Sequence, residues 1–251
     1  MASYPPSQCC AKGFKHNGTP QGKSLKIGQH DAYLSIALSG NVKEKTGILY
    51  LSDALGIWDN SKLLADQFAA QGYSTLMIDL FNGDALKLNQ AEGLDLQTWI
   101  SHGRDHKGPH TPKEIDPIVE QALGYMRNEL GFERIGSVGY CFGAKYVVRH
   151  YSNGIQAAFL AHPSFVDEEE LARVNGPISI AAAEIDDIFT VQKRQKTEEI
   201  LTGNGIVYQL NLYSRVEHGF ATRCDLSQKW QRFAKKQAFF QAVNFFDLWL
   251  E

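Results

Sequence analysis

The sequence predicts an α/β protein with a mostly parallel, twisted sheet and helices on both faces. Short apolar runs of strand length recur along the chain and alternate with segments of helical periodicity. This alternation is typical of parallel strands joined by helical crossovers. We find no internal repeat and no linker-like stretch in the 251 residues, so a single domain over residues 1–251 is predicted.

The elements follow one another in a regular order. Residues 1–24 are rich in Pro, Gly, Ser and Lys and predict an N-terminal surface arm, whereas residues 81–110 lack periodicity and predict a lid or pocket loop. Strands are predicted at 32–38, 47–51, 74–80, 134–140, 157–161, 177–183 and 207–213. Helices are predicted at 59–71, 111–130, 144–151, 168–173, 191–201 and 227–250.

Local signals set the ends of several of these elements. Asp59 is a suitable cap for the first helix, which stops at Gly72. Pro112 occupies the first position of the second helix, where its missing N–H costs nothing, and Gly131 ends that helix.

Composition excludes several classes of function. The chain carries 25 basic and 28 acidic residues, a net charge of −3, so nucleic acid is not an expected partner. No apolar stretch approaches the ~20 residues that a membrane span requires. The cysteines have no spacing typical of a secreted disulfide framework, and we predict a cytoplasmic protein. They are Cys9, Cys10, Cys141 and Cys224.

The segment Gly139–Gly143 reads Gly-Tyr-Cys-Phe-Gly and lies between a predicted strand and a predicted helix. A nucleophile flanked in this way by glycines is the nucleophile elbow of α/β-hydrolases, with Cys141 where serine is usual. The glycines are needed because a Cβ at either flank would meet neighbouring backbone. The alternative is a buried cysteine in a glycine-rich turn, and partner residues must decide between the two.

Candidate partners follow two later strands. Asp186 and Asp187 come after the strand at 177–183, and His218 comes after the last strand. The carboxyl ends of parallel strands share one edge of a sheet, so these groups are expected near Cys141. The order Cys141, Asp186, His218 is the nucleophile, acid, base order of α/β-hydrolases, and we prefer Asp186 to Asp187 as the acid. Backbone N–H groups of Ala54 and Phe142 are the predicted oxyanion donors.

These motifs, together with Cys9-Cys10 and the segments 79–84 and 161–165, resemble the dienelactone hydrolase family, especially its fungal branch. The resemblance covers nearly the whole chain. It implies the α/β-hydrolase fold and a carboxymethylenebutenolidase-type opening of a carboxylated lactone by the cysteine, without a cofactor. It also suggests that Asp53 occupies the position of a carboxylate that can hold the resting cysteine in an inactive orientation.

One position departs from the family pattern. Bacterial members bind the substrate carboxylate with an arginine four residues after the histidine, where this chain has Thr222, followed by Arg223. Arg223 and, in the predicted lid, Arg104 are therefore the candidates for binding a substrate carboxylate. His162, at a strand end, is expected either to line the pocket or to be a structural histidine.

We predict a cysteine-dependent hydrolase that opens lactones or cleaves small esters through an acyl-thioester, as a monomer or homodimer. The alternatives are an esterase or thioesterase for another acyl substrate, and a redox-sensing thiol protein on a hydrolase scaffold. His102, His106 and His110 are spaced four apart, but Gly103, Gly108 and Pro109 argue against a helix that would align them, so no metal is predicted. A dinucleotide site is disfavoured because no G-x-G-x-x-G is present.

Overall fold

In the computed structural model, which describes residues 1–38, 40–104 and 107–251, the strands form one eight-stranded sheet of order β1-β2-β4-β3-β5-β6-β7-β8. The first two strands are antiparallel to their neighbours and the pairs from β4 to β8 are parallel, which confirms the predicted mostly parallel sheet. The strands are β1 (Lys23–Ile27), β2 (His30–Ser35), β3 (Thr46–Leu51), β4 (Ser74–Ile78), β5 (Arg134–Tyr140), β6 (Ala157–Ala161), β7 (Ile178–Ile185) and β8 (Tyr208–Glu217).

Helices cover the sheet on both faces, as predicted. They are α1 (Asp59–Ala70), α2 (Leu96–His102), α3 (Pro112–Asn128), α4 (Gly143–Arg149), α5 (Glu168–Leu171), α6 (Val191–Gly203), α7 (Phe220–Arg223) and α8 (Lys229–Trp249). The short elements β1, α2 and α7 were not predicted. Strand β1 is largely exposed at the sheet edge, and α2 and α7 span two turns or fewer, so none has a clear apolar period.

The central strands separate two apolar layers because successive side chains point to opposite faces. In β3, Leu49 and Leu51 join the larger cluster, whereas Ile48 and Tyr50 join the cluster formed with helices α1 and α8. Strand β3 is buried at every position. Because the strands from β3 to β8 are parallel, the carboxyl ends of β3, β5, β7 and β8 lie at the same edge of the sheet.

The N-terminal segment was predicted to lie on the surface, but part of it is buried. Ala2, Ser3, Cys10 and Ala11 are fully buried, and residues Gln8–Ala11 form a 3-10 turn. Backbone hydrogen bonds hold the segment against the domain; for example, the Ala2 amide donates to the Val166 carbonyl. We refer to residues 1–22 as the arm.

None of the helices in the described ranges combines the length and the apolar character that a membrane span requires.

Candidate active site

Cys141 lies at the tip of a tight turn between β5 and α4. Its φ is +50°, a left-handed conformation that non-glycine residues rarely adopt. The turn leaves no room at its flanks: a Cβ on Gly139 would lie 2.7 Å from the Ala144 Cα, and one on Gly143 would lie 2.2 Å from the Leu51 carbonyl oxygen. This is the geometry that the nucleophile elbow requires.

Asp186 and His218 meet at the same edge of the sheet. His218 Nδ1 lies 2.9 Å from Asp186 Oδ2 and 3.1 Å from Oδ1. The amides of Ile188 and Phe189 donate to Asp186 Oδ1, which fixes the carboxylate. Asp187 is exposed. The geometry therefore favours Asp186, the preferred candidate, as the partner that orients the imidazole.

Cys10 of the arm contacts both the cysteine and the histidine. The Sγ atoms of Cys10 and Cys141 are 3.3 Å apart, and Cys10 Sγ lies 3.7 Å from His218 Nε2. Ser164 Oγ lies 3.5 Å from Cys141 Sγ on another side. Cys10 and Cys141 are both 0% exposed. The arm thus closes the nucleophile off from solvent.

Electrostatics favour a charged Cys141–His218 pair. Burial opposes the thiolate, but the contact with Cys10 and the charge of His218 hold the pKa of Cys141 well below its ordinary value. Burial likewise opposes the imidazolium, and the charges of Asp186 and Cys141 nevertheless raise the pKa of His218 well above its ordinary value. Burial would raise the pKa of Asp186, yet His218 and the two amides lower it. Each group therefore stabilises the charged form of the next.

The other two thiols near the site respond in opposite ways. Burial raises the pKa of Cys10 well above its ordinary value. The hydrogen bond with Cys10 lowers the pKa of the half-buried Cys9 to about 6. Ser7 Oγ lies 3.1 Å from Cys9 Sγ and adds to this effect. Cys9 is thus the more readily ionised thiol of the arm.

Two backbone amides beside Cys141 are free to donate. In the described part of the chain, the N–H groups of Ala54 and Phe142 have no protein acceptor. Both residues are fully buried next to the elbow, at the ends of β3 and β5. An oxyanion hole needs preorganised donors of this kind.

Asp53 and Arg223 form a buried ion pair beneath the arm. Arg223 Nη1 lies 2.6 Å from Asp53 Oδ2, and both side chains are 1% exposed. Thr222 donates its hydroxyl to the same oxygen, and the Leu55 amide donates to Oδ1. The expectation that Asp53 holds the cysteine is therefore corrected, since these donors, and not the thiol, engage its carboxylate.

Arg223, expected as a candidate for binding a substrate carboxylate, is engaged by the protein itself in this structure, and that role stays a prediction. Besides Asp53, the guanidinium donates to the carbonyls of Lys12 and Cys9 in the arm. A charge that is buried and fully paired in this way serves to hold the arm in place. Arg223 thus links Asp53 to the backbone of the arm.

Arg104 is also occupied by the protein itself. It donates to the Asp84 carboxylate at 3.0 Å and to the carbonyls of Asp84 and Ala85. His110 Nε2 binds the same carboxylate at 2.8 Å. A buried acceptor in its own segment thus binds Arg104 in this structure, and the expectation that Arg104 supplies a cation to substrate stays a prediction.

The predicted lid packs against the residue after the nucleophile. The ring centroid of Phe81 lies 5.1 Å from that of Phe142, and Trp99 lies 5.2 Å from Phe81. Of the three histidines spaced four apart, His110 binds Asp84, His102 contacts Ser101, and His106 lies outside the described residues. Side chains of residues 81–110 thus pack over Phe142 at the start of α4.

His162 lies beside the base. Its ring is 5.0 Å from that of His218 in an edge-on arrangement and is fully buried. Neither ring nitrogen has a hydrogen-bond partner in the described part of the structure. Burial, together with the charge of His218, holds the pKa of His162 well below its ordinary value. His162 is therefore a neutral wall of the site.

A cavity of about 550 Å³ opens beside the base. It is bounded by Cys9, His218, Phe220, Arg223 and Trp230 among others. A larger cavity of about 650 Å³ lies on the other side of the arm, against residues 88–92, and includes none of the candidate catalytic side chains. We therefore regard the smaller cavity as the approach to the site.

An eight-stranded sheet with a strained turn at the end of β5, an acid after β7 and a histidine after β8 defines an α/β-hydrolase. Residues 31–250 match the model of the family described as "Dienelactone hydrolase family". The chain belongs to the dienelactone hydrolase family, as the sequence resemblance implied, and is a hydrolase of esters or lactones.

Relatives share the full length of the chain. The "Hydrolase pyvD" of Aspergillus violaceofuscus is 43% identical over 253 residues, covering 100% of both chains. The "Dienlactone hydrolase 1" of Gibberella moniliformis is 32% identical, covering 100% of this chain and 96% of the relative. A crystal structure of a putative dienelactone hydrolase from Klebsiella pneumoniae superposes with a TM-score of 0.70 at 13% identity, covering 90% and 98% of the two chains. That structure supports the fold alone.

Two contacts of the nucleophile were not predicted. Cys10 and Ser164 touch Cys141 from the arm and from the loop after β6. The adjacent pair Cys9-Cys10 was a visible signal, but nothing in a glycine-rich arm indicates that it folds back over a strand end 131 residues away.

Proposed function

We propose that this hydrolase cleaves lactones or small esters with Cys141 as nucleophile and Asp186 as the carboxylate that orients His218. His218 is the general base that receives the thiol proton and then the general acid that passes it to the leaving group. The observation that carries the proposal is the Asp186–His218 pair at 2.9 Å together with Cys141 held at φ +50°. Cys10 Sγ contacts both Cys141 Sγ and His218 Nε2, so the thiol and the imidazole lie on the same small group of atoms. A strained nucleophile near an imidazole that a carboxylate orients is the arrangement that acyl transfer requires.

The reaction follows from these groups. The thiolate attacks the acyl carbon, and the oxygen of the carbonyl takes up negative charge facing the Ala54 and Phe142 amides. As the C–O bond breaks, His218 gives its Nε2 proton to the leaving oxygen, which leaves an acyl-thioester on Cys141. His218 then takes a proton from water, whose oxygen attacks the thioester; the C–S bond breaks and the thiolate is restored.

Substrate entry requires the arm to move. Cys141 is fully buried, and Cys10 lies 3.3 Å from its sulfur, so a substrate carbonyl can reach the sulfur only when Cys10 gives way. The cavity beside His218 offers the space from which it would enter.

We further propose that cleavage does not depend on a carboxylate in the substrate. Both predicted arginines are bound to carboxylates and carbonyls of the protein. This observation favours esterase activity on uncharged acyl substrates over a strict requirement for a carboxylated dienelactone. A panel of neutral lactones, aryl esters, thioesters and a carboxylated dienelactone tests it, and turnover restricted to the dienelactone would contradict it.

Variants test the roles. We expect Cys141→Ala to abolish turnover while the far-UV circular dichroism spectrum stays unchanged. Asp186→Asn is expected to lower kcat by a factor of about 10⁴, the magnitude typical of a triad acid, whereas the exposed neighbour change Asp187→Asn serves as the matched control. Undiminished hydrolysis by Cys141→Ala would move the chemistry elsewhere. Reversible oxidation of Cys141 with no turnover on the panel would instead indicate a redox sensor.

A further inference from the structure

Three metal-binding side chains converge where the arm crosses the candidate site, and two of them have no role in the proposed reaction. One ligand atom each from Cys9, Cys10 and His218 lies within 4.8 Å of the other two. Cys10 Sγ is 3.7 Å from His218 Nε2. Cys10 and His218 are buried and Cys9 is half-buried.

The separation of 3.7 Å between Cys10 Sγ and His218 Nε2 suits two ligands of one tetrahedral ion, and Cys9 Sγ lies close enough to join them after a small shift. With Zn–S bonds of about 2.3 Å and Zn–N bonds of about 2.0 Å, two tetrahedral ligand atoms stand roughly 3.5–3.8 Å apart. Two cysteines and one histidine form a known three-ligand zinc set that leaves a fourth position for water. Thiolates are soft ligands that favour zinc over magnesium or calcium.

The surroundings of His218 complete the arrangement. A histidine that binds zinc usually donates its other ring N–H to a carboxylate, which fixes the tautomer and the ring orientation. Asp186 lies 2.9 Å from His218 Nδ1 and can accept that proton. The Nε2 lone pair then faces Cys10.

The arm is positioned to hold both sulfurs there. Arg223 donates to the carbonyls of Cys9 and Lys12, and the Asn89 amide donates to the Ala11 carbonyl. These bonds fix the backbone on both sides of Cys10. The thiols would therefore meet an ion with little rearrangement.

We propose that Cys9, Cys10 and His218 bind one Zn²⁺ ion, which fastens the arm over Cys141 and stops hydrolysis. Binding releases the two thiol protons, and any proton on His218 Nε2, to solvent. The Nε2 lone pair is then used for the metal and cannot accept a proton. The inhibition rests on the proposed role of His218 as general base, but the site itself does not.

Metal binding can be measured independently of catalysis. The full-length chain, reduced with a phosphine and freed of metal by chelator and gel filtration, is titrated with zinc sulfate and, in parallel, with cobalt sulfate. We expect one zinc per chain by plasma mass spectrometry and a thiolate-to-cobalt charge-transfer band. Cys9→Ser should weaken zinc binding by at least about 10-fold and reduce that band.

Two further variants serve as controls. Cys224→Ser removes a free thiol outside the cluster and should bind zinc as the wild type does. Cys141→Ser should also retain the metal, because the nucleophile is not one of the three ligands. The readout for inhibition is each variant's rate with zinc divided by its own zinc-free rate. Cys9→Ser should keep this ratio close to one at zinc concentrations that inhibit the wild type.

Failure takes definite forms. No stoichiometric zinc on the wild type, or equal affinity in Cys9→Ser and Cys224→Ser, would overturn the site. Equal inhibition of Cys9→Ser and the wild type would overturn the inhibitory role by placing the inhibitory ion elsewhere. Loss of the metal in Cys9→Ser supports the site even when no ester on the panel is cleaved, so the two proposals fail separately.

Discussion

The buried pair of Asp53 and Arg223 offers the sharpest test of how the arm is held. Replacing Arg223 with methionine keeps much of the side-chain volume but leaves the Asp53 carboxylate buried with only Thr222 and Leu55 as donors. Removing one partner of a buried ion pair typically costs about 3–5 kcal/mol. Such a loss is a large part of the stability of an ordinary domain and is easily measured.

Coupling between the two residues distinguishes pairing from simple packing. Burial raises the pKa of Asp53, and the charge of Arg223 opposes this effect. Arg223→Met alone leaves the Asp53 carboxylate buried without its cation, whereas the double variant Asp53→Asn with Arg223→Met removes that carboxylate as well. We expect the double variant to be more stable than the sum of the single effects predicts, by about 1–3 kcal/mol. The assay is urea unfolding followed by circular dichroism.

Trypsin provides a second readout of the same substitution. Arg223→Met also removes the donors to the carbonyls of Lys12 and Cys9, so cleavage after the exposed Lys12 and Lys15 should become faster. Glu133→Gln, which breaks the exposed Lys45 pair, is the control and should change stability by less than about 1 kcal/mol. A similarly small effect of Arg223→Met, with no coupling to Asp53, would refute the reasoning.

Three other predictions concern the elbow, acid stability and the pH profile. Gly143→Ala places a Cβ 2.2 Å from the Leu51 carbonyl oxygen, so we expect loss of folded yield or of activity, and normal turnover would contradict the elbow geometry. Burial lowers the pKa of His16 to about 4 from 6.5, so the unfolded chain binds a proton before the folded chain does as pH falls. Up to ~3 kcal/mol of the free energy of unfolding present above pH 6.5 should therefore be lost by pH 4. Urea unfolding measures this loss, and His16→Gln should lack it. Because the pKa of Cys141 is lowered and that of His218 is raised, kcat/KM should stay flat through neutral pH. It should fall on the acid side as the thiolate is protonated and on the alkaline side as the imidazolium loses its proton. A rise in kcat/KM towards the ordinary thiol pKa of 9.0 would contradict the ion pair.

Much of the order of strands and helices could be predicted from local sequence patterns. Apolar runs such as β3, capping residues and stop glycines depend on neighbours a few positions away, so strand and helix order could be predicted. The motif around Cys141 could also be predicted, because the need for glycine at both flanks is a property of the local backbone. The positions of Asp186 and His218 followed from the rule that the carboxyl ends of parallel strands share one edge.

Only the tertiary structure decided which charges are free and what covers the nucleophile. Arg223 and Arg104 looked available in the sequence, yet each is bound to acceptors that the fold brings near, one across 170 residues and the other within its own loop. The arm has no apolar periodicity, and its course over Cys141 depends on hydrogen bonds to distant loops. Such long-range pairings leave no local pattern, because the partner's position in space is set by the whole sheet.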